Sequence, residues 1–174
     1  SDVCSSDLKT FTLAAALDSN IIETNTKFLN LEKSLNCGKN VIREYDNKIP
    51  KDLTAEEILI RSGNIGSVRI GQKIGIEKFK LFLTKINVIN EIKFDIEEVG
   101  IPIPFKWGKC KLATTSFGHG ITTTPLQLAK GYAIITNGGF DIDPTIIKNK
   151  KEKMIKYKKR LIRKDVSEKI NPID

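Results

Sequence analysis

The feature that most constrains this chain is residues 112–139, LATTSFGHGITTTPLQLAKGYAIITNGG, because its second half marks a helix at both ends. Thr124 can cap the amino end, Pro125 takes the first helical position where a missing N–H costs nothing, and Gln127 completes a capping box. Asn137-Gly138-Gly139 supplies a left-handed stop. Between these marks Leu126, Leu128, Ala129, Tyr132, Ala133 and Ile135 form a broad apolar face, which predicts a buried helix. Residues 114–123 are rich in hydroxyls and glycine, which suits a loop whose backbone comes close to something else. A polar loop leading into a rigid buried helix is a common way to build a site.

The 174 residues suffice for one domain or for part of a larger one. Hydrophobic residues are 40% and charged residues 29%, a globular balance, and no run approaches the roughly 18 apolar residues of a membrane span. The start, SDVCSSDL, has neither the basic region nor the apolar core of a signal peptide. The net charge of +8 is local: residues 148–164 hold ten of the 29 Lys and Arg and one of the 21 acidic residues, which leaves 19 basic against 20 acidic elsewhere. Such a segment reads as a solvated surface strand or hairpin. With Tyr157 as its one aromatic, it gives little support to nucleic-acid binding. Cys4, Cys37 and Cys110 form no CxxC pair, and His119 is the only histidine. The three read as free or packed thiols, with no metal site.

In chain order, KTFTLAAALDS from Lys9 reads as a helix apolar nearly all round, which belongs in a core. Ser6 precedes Lys9 by three residues, so the two share one helix face. A serine there with a lysine one turn on can be a nucleophile beside its base, or simply a cap and a solvated first-turn residue. Residues 26–29 and 40–43 are extended candidates on either side of Asn36-Cys37-Gly38, predicting a small hairpin peripheral to the core. Thr54-Ala55-Glu56-Glu57 is a capping box whose helix ends near Arg61. Helices follow over residues 65–74, stopping at Gly75, and over 76–86 with Ile76, Phe79, Phe82, Leu83 and Ile86 on one face. Ser62-Gly63-Asn64 lies in the joint of this helical cluster, placed to project two polar side chains inward or merely to cap. Residues 88–111 are irregular around Pro102 and Pro104, with Trp107 as a buried anchor. Residues 140–147 read as a turn and a strand, and no finishing element is evident beyond the basic segment.

Ser6-Asp7-Leu8-Lys9, Ser62-Gly63-Asn64 and FGHGITTTPLQLA with its NGG stop, in that order, resemble the transpeptidase domain of the class B penicillin-binding proteins, nearest to their division-specific branch. The resemblance runs from about Lys9 to Ile147. It implies an α+β fold shared with the serine β-lactamases: an antiparallel sheet with helices on both sides and a helical subdomain. There are two departures. The family's Pro-Gly before the nucleophile is replaced by Cys4-Ser5, so residues 1–8 read as an atypical start, and no Lys-Thr-Gly occurs. The chain is therefore expected to be a partial transpeptidase domain whose region 148–174 ends before the Lys-Thr-Gly strand.

By that resemblance Ser6 is the acylated nucleophile and Lys9 takes its proton. Ser62 relays a proton to the leaving amine, and Asn64 holds Lys9 and the substrate amide. Gly118 and Gly120 belong to the substrate cleft, with His119 a loop residue bonded to backbone. The implied substrates are peptidoglycan stem peptides ending in D-Ala-D-Ala, with β-lactams as their mimics and no metal or organic cofactor. Divisome membrane proteins are implied partners of a parent anchored in the inner membrane, its catalytic domain in the periplasm. Without Lys-Thr-Gly the 174 residues alone are expected to show little or no activity. A non-catalytic penicillin-binding scaffold or sensor of the divisome is the alternative on the same fold.

Overall fold

The computed structural model describes residues 7–95, 100, 103–147 and 158–173. Its centre is α1 (Asp7–Asp18), in which all ten residues from Leu8 to Leu17 are buried. A helix without a polar face must be wrapped by others, and α2 (Ala55–Ile60), α3 (Asn64–Ile74), α4 (Ile76–Lys85), α5 (Lys109–Ser116) and α7 (Lys164–Ile170) all pack on it. Its buried hydroxyls are absorbed locally and across the core: Thr12 Oγ1 donates to the Leu8 carbonyl and, at 2.8 Å, to that of Ser116 at the end of α5.

The helical cluster forms as its caps and periodicity predict. Thr54 and Glu57 make both bonds of the capping box, and α3 stops at Gly75 with φ +79°. Close packing then depends on glycine where helices touch. A Cβ on Gly71 would lie 1.8 Å from Ser116 Oγ and 2.7 Å from its Cβ, so α3 and α5 meet nearly backbone to backbone. Gly71→Ala is expected to destabilise the fold by about 1–3 kcal/mol through overpacking. Chemical unfolding checks this, and adding Ser116→Gly should recover part of the loss.

Extended structure is arranged differently from expectation. β2 (Ser34–Cys37) pairs with β3 (Asn40–Arg43) across a two-residue turn at Gly38-Lys39, but the strand near residue 27, β1 (Lys27–Phe28), pairs antiparallel with β4 (Leu53–Thr54). The turn fixes the hairpin partner by proximity, and residues 26–29 are left to the chain that returns before α2. Among the described residues these are two separate two-stranded sheets. Residues 140–147 form no strand; Phe140 makes one antiparallel bridge to Arg160, and Asp141 exchanges backbone bonds with Lys158 and Lys159.

Three other expectations change. Residues 109–116 are helical (α5), which takes the front of the supposed loop; the Ser116 and Thr114 hydroxyls are satisfied within the helix by the carbonyls of Leu112 and Lys111. Cys37 and Cys110 are not free thiols: they form a disulfide between the β2–β3 hairpin and α5, while Cys4 lies outside the described residues. The chain also has a finishing helix, α7, which buries Val166 and Ile170 against α1. Residues 148–157 of the basic segment lie outside the described residues.

At the start of α7 the Arg163 guanidinium bonds the Asp165 carboxylate, with Lys169 3.5 Å away, and these hold the Asp165 pKa down to about 2. A carboxylate lowered on folding contributes stability that is complete above its unfolded value of 3.8 and fades as pH falls towards 2. Because the Asp165 side chain is 43% exposed, solvent screening keeps the contribution small. Asp165→Asn should therefore lower stability slightly but uniformly above about pH 5 and flatten the acid limb of the pH–stability curve, so that variant and unsubstituted protein converge as pH falls towards 2.

Candidate functional site

The site is built on the turn between α2 and α3. Arg61 closes α2, Ser62 takes a left-handed φ of 51°, and Gly63 leads into Asn64 as the first residue of α3. A serine held left-handed stores strain that surrounding contacts must over-determine. One of those contacts comes from α1. Lys9 Nζ donates to the Ser62 carbonyl at 2.6 Å and to Ser62 Oγ at 2.8 Å, across 53 residues of sequence. Lys9 is only 5% exposed, so its ammonium sits where water is scarce and these oxygens replace hydration. The ring of Tyr45 lies 6.0 Å from Nζ.

Asn64 stands beside this pair but turns away from it. Its side-chain Nδ2 donates to the Arg43 carbonyl at 3.0 Å, and its backbone N–H donates to Glu44 Oε1 at 2.7 Å. The expected bond from Asn64 to Lys9 is therefore not made; the carbonyl at the end of β3 is the nearer partner. The structure thus brings Lys9 and Ser62 together and sets Asn64 next to them. Ser6 lies outside the described residues.

The stretch 112–139 supports this site from behind. Tyr132 of α6 (Pro125–Thr136) donates its hydroxyl to the Asp7 carbonyl at 3.0 Å, and its ring lies 5.0 Å from that of Phe11. The first turn of α1, which carries Lys9, is therefore fastened to α6. The buried side of α6 differs from the expected apolar face: Gln127, Leu128, Lys130, Gly131, Ile134 and Ile135 are inside, and Ala129 is exposed. Gln127 is there because it closes the cap on Thr124 and donates to the Asn90 carbonyl. Lys130 is there because it pairs with Asp141 at 3.1 Å. Gly131 is required because a Cβ would come within 2.9 Å of the Phe11 ring.

Gly118 and Gly120 have φ of 99° and 77°, a region side chains disfavour. The loop they shape is tied to α5: Lys111 Nζ donates to the Gly120 carbonyl, and the His119 N–H donates to Thr114 O at 2.8 Å. His119 stacks on Phe117 with ring centroids 5.2 Å apart. No hydrogen bond among the described residues joins this loop to Lys9, Ser62 or Asn64. Trp107 is half-buried, edge-on to Phe79 and tilted on Phe105, and so anchors the crossing segment as its type predicts.

Sequence spacing gave no sign of Glu44 and Tyr45, which flank the Ser62 turn from the end of β3. Their place depends on the β2–β3 hairpin being folded against α3, a contact that no local pattern encodes.

An ammonium with two hydrogen bonds to a neighbouring serine can pass protons to and from that hydroxyl, the arrangement used to activate or relay for a nucleophile. Comparison with known proteins points the same way. Residues 5–173 match the penicillin binding protein transpeptidase domain. The chain is 29% identical over 135 residues to the probable peptidoglycan D,D-transpeptidase FtsI of Caulobacter vibrioides, covering 77% of this chain and 23% of that protein. It is 31% identical over 136 residues to the peptidoglycan D,D-transpeptidase FtsI homolog of Mesostigma viride, covering 74% and 21%. The chain thus spans less than a quarter of the length of these relatives. In fold it resembles the TP domain of Burkholderia pseudomallei penicillin-binding protein 3, with a TM-score of 0.86 over 97% of this chain and 51% of that one, at 22% identity. That α+β fold, and a family match running almost from end to end, carry the conclusion: this chain belongs to the penicillin-binding protein transpeptidase family.

Proposed function

We propose that these residues form part of a serine D,D-transpeptidase that cross-links peptidoglycan stem peptides during septal wall synthesis and is acylated by penicillin. The observation that carries this reading is the buried Lys9 ammonium bonded to Ser62 Oγ. In the proposed reaction Lys9 takes the proton of Ser6 as its Oγ attacks the penultimate D-Ala carbonyl. Ser62 passes a proton to the amine of the departing terminal D-Ala. An amine of a second stem peptide then attacks the acyl-serine, and the Ser6 proton is returned. Asn64, with Gly118 and Gly120, is assigned to holding the peptide. No metal or organic cofactor enters.

The compartment is proposed to be the periplasm, with the parent anchored in the inner membrane and working beside divisome membrane proteins. The Cys37–Cys110 disulfide supports an oxidising compartment. Among the described residues no helix is long and apolar enough to cross a membrane.

The test is intact-mass analysis after incubation with a labelled penicillin. A protein extended to the length of the relatives should gain one penicillin per chain, and its Ser6→Ala variant none. Labelling that survives Ser6→Ala would overturn the nucleophile, and septum formation rescued by that variant would favour the scaffold. The 174-residue segment contains no Lys-Thr-Gly, after which the resemblance places a strand supplying one of the two backbone N–H donors to the oxyanion, and it should label little, since losing one such donor commonly costs ~10²–10³ in rate; stoichiometric acylation of Ser6 in the segment would contradict this.

A further inference from the structure

We propose that Glu44 is a positioning residue: its carboxylate fixes the 61–65 turn so that Ser62 stays within reach of Lys9. The inference rests on the site proposed above but on different atoms. Gly63, at the N-cap of α3, has no side chain with which to satisfy the first-turn N–H groups. Glu44 does this from 20 residues upstream. Its Oε1 accepts from the Asn64 N–H at 2.7 Å and its Oε2 from the Ile65 N–H at 3.2 Å. A carboxylate in this place also meets the positive end of the helix.

Glu44 does not act alone, and its neighbours show that the contact is directed at the turn. Tyr45 donates its hydroxyl to the Arg61 carbonyl at 2.8 Å, and the Arg43 carbonyl accepts from Asn64 Nδ2. Three consecutive residues at the end of β3 therefore grip positions 61, 64 and 65, on both sides of the strained Ser62. From the opposite direction, Lys9 grips Ser62 itself. Freed from residues 43–45, the Asn64 and Ile65 end of the turn would lose its anchor, and the Ser62 carbonyl and hydroxyl would be free to drift from the Lys9 ammonium that they meet at 2.6 and 2.8 Å.

The grip is rigid at its root. The Glu44 N–H donates to Lys33 O at 2.9 Å, the β2–β3 pairing is complete over four residue pairs, and Ile42 is buried. The far end of the hairpin is tied to α5 by Cys37–Cys110. Local bonds close the turn on its α2 side, from the Ser62 N–H to the Leu59 carbonyl at 2.8 Å and from the Gly63 N–H to the Ile58 carbonyl at 2.9 Å, and residues 43–45 hold its α3 side, so the hairpin serves as a brace for the site rather than a peripheral ornament.

The experiment uses the 174-residue chain as it stands and reads two quantities by NMR: amide hydrogen exchange at Asn64 and Ile65, and the titration midpoint of the Lys9 amine in lysine-labelled protein. Glu44→Ala should speed exchange at both amides by about tenfold relative to core amides of α1. It should also lower the Lys9 midpoint, because an ammonium that loses its Ser62 acceptors is less favoured over the neutral amine. Glu44→Gln, which keeps one acceptor oxygen and the shape, should show a smaller change in both. Faster exchange with an unmoved Lys9 would reduce Glu44 to a helix cap and overturn the proposal. A moved Lys9 with unchanged exchange would be a bare charge effect and overturn it as well. Neither readout needs activity, so failure of penicillin labelling in the parent would sink the proposed function while leaving this result to be decided separately.

Discussion

Lys9→Met is expected to slow acylation by a labelled penicillin about 10²–10⁴-fold in the parent protein, the range for losing a positioned general base. The fold should persist. Methionine keeps the length of the stem in a helix whose residues 8–17 are all buried, and it removes an ammonium that is 5% exposed. What it leaves behind is a Ser62 carbonyl and hydroxyl without the donor that reached them at 2.6 and 2.8 Å. The loss of stability from those unmet acceptors should be about 1–3 kcal/mol. Stopped-flow or quenched mass analysis of acylation, set beside thermal unfolding of the same variant, separates the two effects. An acylation rate within tenfold of the unsubstituted protein would remove Lys9 from the role of base.

Opening the Cys37–Cys110 bond is expected to have the largest effect on stability. The bond closes a segment of 73 residues, for which the loss of unfolded-chain entropy corresponds to a stabilisation of about 4 kcal/mol. Cys110 is exposed and Cys37 is buried, so Cys110→Ser removes the cross-link without placing a hydroxyl in the core. Urea unfolding should show the loss in the variant, and a reducing agent should reproduce it in the unsubstituted chain but add nothing to the variant. Equal midpoints for oxidised and reduced protein would mean that the bond contributes no net stability. The same variant should loosen the β2–β3 hairpin before the helical core, since α1, α3 and α4 pack together without it.

Much of the architecture was legible because it is written within one or two turns of chain. The capping boxes at Thr54 and Thr124, the stop at Gly75 and the nearly all-round apolar character of α1 each act over a few residues, and each occurs where it was expected. The family resemblance was legible for the same reason: Ser-x-x-Lys, Ser-x-Asn and the TPLQLA helix are short strings. The errors share the opposite cause. The partner of β1, the disulfide and the buried side of α6 were misjudged because each depends on a contact between distant segments. The polar residues Gln127 and Lys130 face inward only because Asn90 and Asp141 meet them there. Helical periodicity ranks residues by polarity and cannot anticipate a partner that is remote in sequence.

The stretch 112–139 shows the division most plainly. By itself the sequence determined that a capped helix stands there and that the chain belongs with the transpeptidases, since capping and short motifs are local chemistry. Only the tertiary structure decided what that helix is for. Its Tyr132 holds the start of α1, and α1 carries Lys9 to a serine 53 residues away. The Ser62 turn is in turn braced by Glu44, whose place no local pattern announces. The reason is physical: a buried ammonium and a left-handed serine are each unfavourable alone, and they persist only where packing from several segments supplies their partners.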